Sequence, residues 1–331
     1  MRVHAIDLVT AALALVAVGV LAGAEEVAPA TTADVVVTDV EEGSAAARAG
    51  LRPDDVVLSW TLVGSSGEPE VLGSILDWWW LTVEQRPRGV VRLEVDGCGE
   101  TRNVELAPSS WGVAVRPQME GKLLEAWAVG RRLMDSSGEG PGSERSERGA
   151  ELWRVGGLLA QAEGNWQAAW WLFLSLGNRR ADAGEWEAAR QAYEKSLEVA
   201  EENHHDLARV EVWLEFGDLA RLQEDLAAAT AAYRTASEAA RPLGEESLVM
   251  ARCQHLAGRT QRLAGELEAA AASYGEALAI RSSQAPASFE HAETLMGLSG
   301  VAAQLGDDTR AAELQEWAMA ILRQLGAPTS L

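Results

Sequence analysis

Along the last two thirds of the chain, apolar positions recur on a helical period, with large and small residues alternating on one face. The stretch from Gly184 to Leu197 sets the pattern. A turn glycine precedes Trp186, Ala189 follows three residues later, then Tyr193, then another small position, so a second helix can settle into the gaps. Phe173, Leu176 and Gly177 supply that second helix. The same arrangement returns at Trp213, Phe216 and Gly217 with Ala229, Tyr233 and Ala236. It returns again at Gly258 with Ala270, Tyr274 and Ala277, and at Leu295, Leu298 and Ser299 with Ala311 and Ala318. Upstream, helices are predicted over 119–134, from about Glu147 to Ala162, and over 166–183. The last is apolar nearly all round and reads as buried, being too short to span a membrane.

Toward the amino terminus the period shortens to that of strands. Val35–Val40 and Val56–Trp60 are β-rich. Val91, Leu93 and Val95 alternate with Arg92 and Glu94, turn at Asp96–Gly99, and return through Val104 and Leu106. Gly50 is positioned to stop a short helix, and Ser74 to Gln85 reads as a longer one. Three consecutive rings, Trp78, Trp79 and Trp80, cannot all face one core at 100° per residue. At least one should meet solvent, a groove or the next domain, and docking against the helix around Trp127 is the expected outcome, ahead of contact with a bound ligand.

The helical units, repeating at about forty residues, resemble tetratricopeptide (TPR) repeats, whose hairpins bury their apolar faces by stacking on one another. Their extra length resembles kinesin light chains and the arrays attached to bacterial caspase-like CHAT peptidases; Ala277–Arg281 through Ala285–Phe289 is most like the latter. The resemblance implies that the first helix of each hairpin lines a recognition face through its second, fifth, ninth and twelfth positions. Those positions are Trp171, Leu174, Asn178 and Ala181 in the first unit. In the second they are Glu211, Leu214, Asp218 and Arg221, and in the third Arg252, His255, Arg259 and Arg262. The last four form a basic stripe suited to an acidic or C-terminal peptide segment. The alternative is a solvated face paired with carboxylates of neighbouring helices.

Residues 35–117 resemble a bacterial PDZ domain, through Glu42-Gly43-Ser44-Ala45, Ala49-Gly50-Leu51 and Pro53-Asp54-Asp55. That implies an extended peptide added as a strand beside the helix 74–85, with backbone amides holding its terminal carboxylate. Nothing in 25–34 offers the needed loop. The candidate lies at Ser110, Trp111, Gly112 and Val113, with Trp79 on the flanking helix; an ordinary edge strand is the alternative.

The expected fold is therefore α+β multidomain: residues 1–24 a signal peptide or membrane anchor, 25–34 a polar lead-in, 35–117 the PDZ-like domain, 118–165 connecting helices with a Gly/Ser loop at 135–146, 166–325 a TPR array of about four hairpins, and 326–331 a tail. The apolar run Leu8–Leu21 followed by Ala22-Gly23-Ala24 is a secretory pattern. It implies an exported protein, periplasmic or secreted, touching membrane only through that segment if it stays uncleaved.

A net charge of −22 over 331 residues disfavours nucleic-acid binding. No P-loop, His-Glu-x-x-His or Gly-x-Ser-x-Gly is present, and Gly97-Cys98-Gly99 sits in a β-turn. His204-His205 reads as a solvated connection and His291 as a surface residue. Glu41, Glu42, Asp54 and Asp55 flank turns with no apolar pocket to perturb them. Cys98 and Cys253 fall in different modules. The reading is a scaffold with no enzymatic activity and no metal or cofactor, binding a protein or peptide partner. The alternative is the recognition part of a longer enzyme such as a CHAT-type peptidase.

Overall fold

The computed structural model describes residues 35–97, 99–135 and 142–325. Cys98, the expected amino-terminal signal or anchor with its lead-in, most of the expected Gly/Ser loop, and the expected tail lie outside the described residues. Two compact units are present: Met119–Val199, and the sheet-bearing segment before Met119 together with the residues described from Ala200 onward.

In the sheet-bearing segment, β1 (Val35–Val40), β2 (Val56–Leu62), β3 (Glu70–Val71), β4 (Val91–Gly97), β5 (Glu100–Leu106) and β6 (Val113–Pro117) form one sheet. The order is β5-β4-β2-β1-β6, every pairing is antiparallel, and β3 pairs with β2. The alternation read from the sequence sets the buried face: Val91, Leu93 and Val95 of β4 are fully buried beside Leu106 and Val57, while Arg92 is exposed and pairs with Glu105. The short helix α1 (Ala45–Ala49) is opened by Ser44, which accepts from the Ala47 amide. It is closed by Gly50 at φ +86°, a left-handed conformation that glycine adopts without Cβ strain.

The helix expected over 74–85 is regular only as α2 (Ile75–Trp80). It then widens into a π-helical turn over Leu81–Gln85 and tightens into a 3-10 turn over Arg86–Arg88, with Pro87 in that last turn. Trp78 turns inward, buried and edge-on to Trp111 at 5.6 Å between ring centroids. Trp79, Trp80 and Val83 point away from the sheet. They pack against the cluster containing Leu207, Leu214, Leu248 and Val249. The helix around Trp127 belongs to the other unit, so the partner of these rings within their own unit is the helical array.

That array consists of three hairpins: α7 (Asp206–Leu222) with α8 (Leu226–Ala240), α9 (Leu248–Leu263) with α10 (Leu267–Gln284), and α11 (Phe289–Gln304) with α12 (Asp308–Gln324). Side-chain caps fix where most of these helices begin: Asp225, Ser247, Ser288 and Asp307 each accept from the amide three residues on. Each of the first two hairpins closes through a glycine that admits a tyrosine ring. A Cβ on Gly217 would lie 2.3 Å from Tyr233, and one on Gly258 would lie 3.0 Å from Tyr274. The large-small alternation of the sequence is this contact.

The other unit contains α3 (Gly121–Asp135), α4 (Glu144–Ala162), α5 (Trp166–Asp182) and the start of α6 (Trp186–Glu202). Helix α4 starts three residues earlier than expected because Ser143 caps it, accepting from the Ser146 amide. The same glycine-tyrosine closure joins α5 to α6, where a Cβ on Gly177 would fall 2.3 Å from Tyr193. Trp170, Leu172 and Phe173 are buried, in keeping with the all-round apolar character of α5. Among the described residues no helix is long and apolar enough to cross a membrane.

Candidate peptide-binding surfaces

Strand β6 is the last in the sheet order, so one of its edges has no strand partner among the described residues. The loop entering it carries the residues expected to hold a carboxylate. Its carbonyls are taken: Glu41 donates to the Gly112 oxygen at 2.8 Å and the Ala46 amide to the Trp111 oxygen at 3.1 Å. Its amides are not, since those of Ser110, Trp111 and Gly112 have no hydrogen-bond partner among the described residues. Gly112 sits at φ +63°, and a Cβ there would lie 2.5 Å from the Ser44 Cβ and 2.9 Å from Glu41 Oε2. The loop is thus pressed on the β1–α1 turn. Two of the predicted contact residues have other duties. Trp111 is buried and donates its indole N–H to the Ala107 carbonyl at 2.8 Å, and Trp79 packs on the array. Val113 lies half-buried at the start of β6, opposite Val40.

On the array, the first helices α7, α9 and α11 form a row. Arg252 of α9 meets Glu211 of α7 through two bonds at 2.7 and 2.9 Å, and Glu211 is only 2% exposed. His255 of α9 contacts Thr294 of α11 at 3.2 Å and lies edge-on to Tyr274. The basic stripe therefore divides. Arg252 pairs with a carboxylate of the neighbouring helix, and His255 is uncharged, because burial, then Arg281 and Arg259, lower its pKa to about 3. Arg259 is exposed, and Arg262 is half-buried with its Nε unpartnered among the described residues. Asn178 and Asp218, predicted contact residues that directly follow the closure glycines, are held by tyrosines. Tyr193 donates to Asn178 at 2.7 Å, and Tyr233 donates to Asp218 at 3.0 Å. Arg221 joins the second of these by donating to Asp218 at 2.8 Å.

Sequence reasoning missed what lies between the two surfaces. Glu84, 2% exposed in the π-helical turn, accepts from the Val249 amide at 2.8 Å. It thereby satisfies a first-turn donor of α9 beside the cap made by Ser247. Arg88 pairs with Glu84 and donates to Gln284 at 2.9 Å. Arg86 grips three places: the Thr82 carbonyl at 2.9 Å, the Ser109 carbonyl at 3.0 Å and the Glu290 carboxylate at 2.5 Å. Buried Arg281, its pKa lowered by burial to about 10, donates to the Glu290 carbonyl at 2.7 Å and to Thr294. Burial raises the pKa of the nearby Glu293. The consecutive tryptophans were the one sequence signal that something leaves the sheet module here.

Two smaller expectations are corrected, for His205 and His291, and one turn carboxylate is buried against a cation. His205 is no solvated loop residue: its Nδ1 accepts from the Ala208 amide at 3.3 Å, capping α7, and burial lowers its pKa against the pull of Asp206 and Asp77. His291 is buried, with Nδ1 2.7 Å from the Pro286 carbonyl. Asp55 is buried too, accepting from the Arg52 amide at 2.7 Å and from Arg102 at 2.5 Å.

The helices resemble the tetratricopeptide fold. No protein-family model matches the chain, and no curated protein does. Among solved structures it is similar to aspartyl phosphate phosphatase F from Bacillus subtilis, at 12% identity and a TM-score of 0.51, over 62% of this chain and 51% of that one. The matched part thus spans about half of the Bacillus protein. Others are a Podosopora anserina putative kinesin light chain with nearly identical TPR-like repeats (14% identity, TM-score 0.48, 63% of this chain and 99% of that one) and BtubC from P. vanneervenii (18%, 0.44, 62% and 92%). At such identities the likeness concerns the fold alone.

Proposed function

We infer that the chain is a polypeptide-binding scaffold without catalysis, whose sheet module takes an extended peptide along β6 in the manner of a PDZ domain. The observation that carries this reading is the set of amides at Ser110–Gly112 with no partner among the described residues, beside an edge strand and the helix α2. Backbone donors without partners suit a carboxylate, and a free strand edge suits main-chain pairing. The test compares binding of a decapeptide ending in valine with that of its C-terminal amide, by fluorescence anisotropy on the full chain. The free acid is expected to bind at least tenfold more tightly. Equal binding removes the carboxylate role from the loop, and absence of binding removes the groove.

On the array, Arg259 is the exposed member of the stripe and the position where an acidic partner segment would be met; Arg252 and His255 support the face from within. Export is part of the same reading, resting on the Leu8–Leu21 run and the small residues after it. Finding the protein confined to the cytoplasmic fraction of its cell would remove it.

A further inference from the structure

Arg86 stands where the two surfaces meet. Its guanidinium holds the carbonyl of Ser109, at the start of the candidate carboxylate loop, and the carboxylate of Glu290, at the start of α11. Both side chains of this ion pair are about one fifth exposed, so the pair is neither sealed in the core nor dispersed in solvent. The backbone leading to Arg86 changes form repeatedly, passing from α through π to 3-10 geometry within fourteen residues. A 3-10 stretch has poorer hydrogen-bond geometry than an α-helix and often marks a hinge, and single π-helical turns are frequent at functional sites. The same segment lays Trp79, Trp80 and Val83 on the array and inserts Glu84 at the Val249 amide.

We propose that this segment is a latch coupling the loop to the row of first helices. A peptide carboxylate held at Ser110–Gly112 competes with Glu290 for the Arg86 guanidinium and loosens residues 81–88 from α9 and α11. The inference rests on the reading of the loop as a carboxylate site. Two carboxylates contending for one guanidinium give a coupling that acts both ways: the peptide weakens the Arg86–Glu290 contact by the same factor as that contact weakens peptide binding. The charged groups around the contact fit this account: Glu293 lies within the electrostatic reach of Arg86, Arg259 and Arg281, so α11 keeps a second carboxylate near cations when Arg86 turns away.

The test measures the free-acid decapeptide and its amide on the full-length protein and on Glu290→Gln, with hydrogen exchange at residues 81–88 and 248–252. Removing the competing charge is expected to tighten free-acid binding about tenfold and leave the amide unchanged. In the wild type, the free acid is expected to speed exchange in both segments. Arg86→Lys, which keeps the charge but loses the fork, is expected to shrink the difference between wild type and the Glu290 variant in its own background. Free-acid binding that is equal in wild type and Glu290→Gln, with exchange unaltered, overturns the latch while leaving the loop assignment intact. Absence of free-acid binding in both proteins overturns the loop assignment and the latch together.

Discussion

Replacing Glu84 with alanine tests whether the sheet module completes the array. The carboxylate is 2% exposed and accepts from the Val249 amide at 2.8 Å, in the first turn of α9. Without it that amide is buried with no acceptor, at about 1–3 kcal/mol. A favourable charge at a partly buried helix start, worth up to about 2 kcal/mol, is lost as well. The two contributions overlap, so about 2–3 kcal/mol is the net expectation. Local opening of the α9 start should then be about 30- to 160-fold more frequent, at tenfold per about 1.36 kcal/mol. Hydrogen exchange at Val249 reads this directly. Met250 and Ala251 serve as internal references, because Ser247 serves both of their amides. Glu84→Gln keeps an acceptor and loses the charge, so its exchange should fall between wild type and the alanine variant. If Val249 exchanges equally fast in all three proteins, Glu84 is not the group that holds this helix end.

Further outcomes follow from packing and charge. Gly217→Ala places a methyl 2.3 Å from the Tyr233 ring and should destabilise the protein by about 1–3 kcal/mol in urea unfolding. Gly275→Ala, inside α10 with nothing within 4 Å, should stabilise it by about 0.5–1 kcal/mol. A reversal of those two signs would refute the account of hairpin closure. His255 makes stability fall with acid: its folded pKa, about 3, lies below the unfolded value near 6.5, so only the unfolded chain takes up its proton in that window. Its contribution is complete above pH 6.5 and is lost as pH falls, by about 2 kcal/mol at pH 5. His255→Gln should flatten the urea midpoint between pH 7 and 5, and an unchanged slope would show that another group is responsible. His205 and His291, both shifted down by burial, act with the same sign.

How much of this was legible in the chain depended on whether the signal was local. Alternation in Val91–Val95 marked β4, and Gly217 with Tyr233 marked a hairpin, because each pattern is written within one element or two neighbours. The divided stripe was half legible: the spacing of Arg252, His255, Arg259 and Arg262 put them on one face. Only packing showed that Glu211, forty-one positions earlier, takes Arg252. The latch was illegible for the same reason. Arg86 and Glu290 are 204 positions apart, and Glu84 and Val249 are 165 apart, so no period or motif links them. Trp78-Trp79-Trp80 told that the three rings cannot share one core, but not where the others go. The π-helical turn was also hidden, since nothing in the composition of Leu81–Gln85 sets it apart from an α-helical turn.

Tyr274 shows how the repeats share their material. Its ring faces Gly258 of its own hairpin and also Gly297 of the next, where a Cβ would come within 2.5 Å. One aromatic plate thus belongs to two successive repeats, and neither can separate from the other without emptying the space it fills. In a nearest-neighbour description of such arrays, this puts stability into the junction and not into the individual unit. The hairpins starting at Leu248 and Phe289 should therefore melt as a single block.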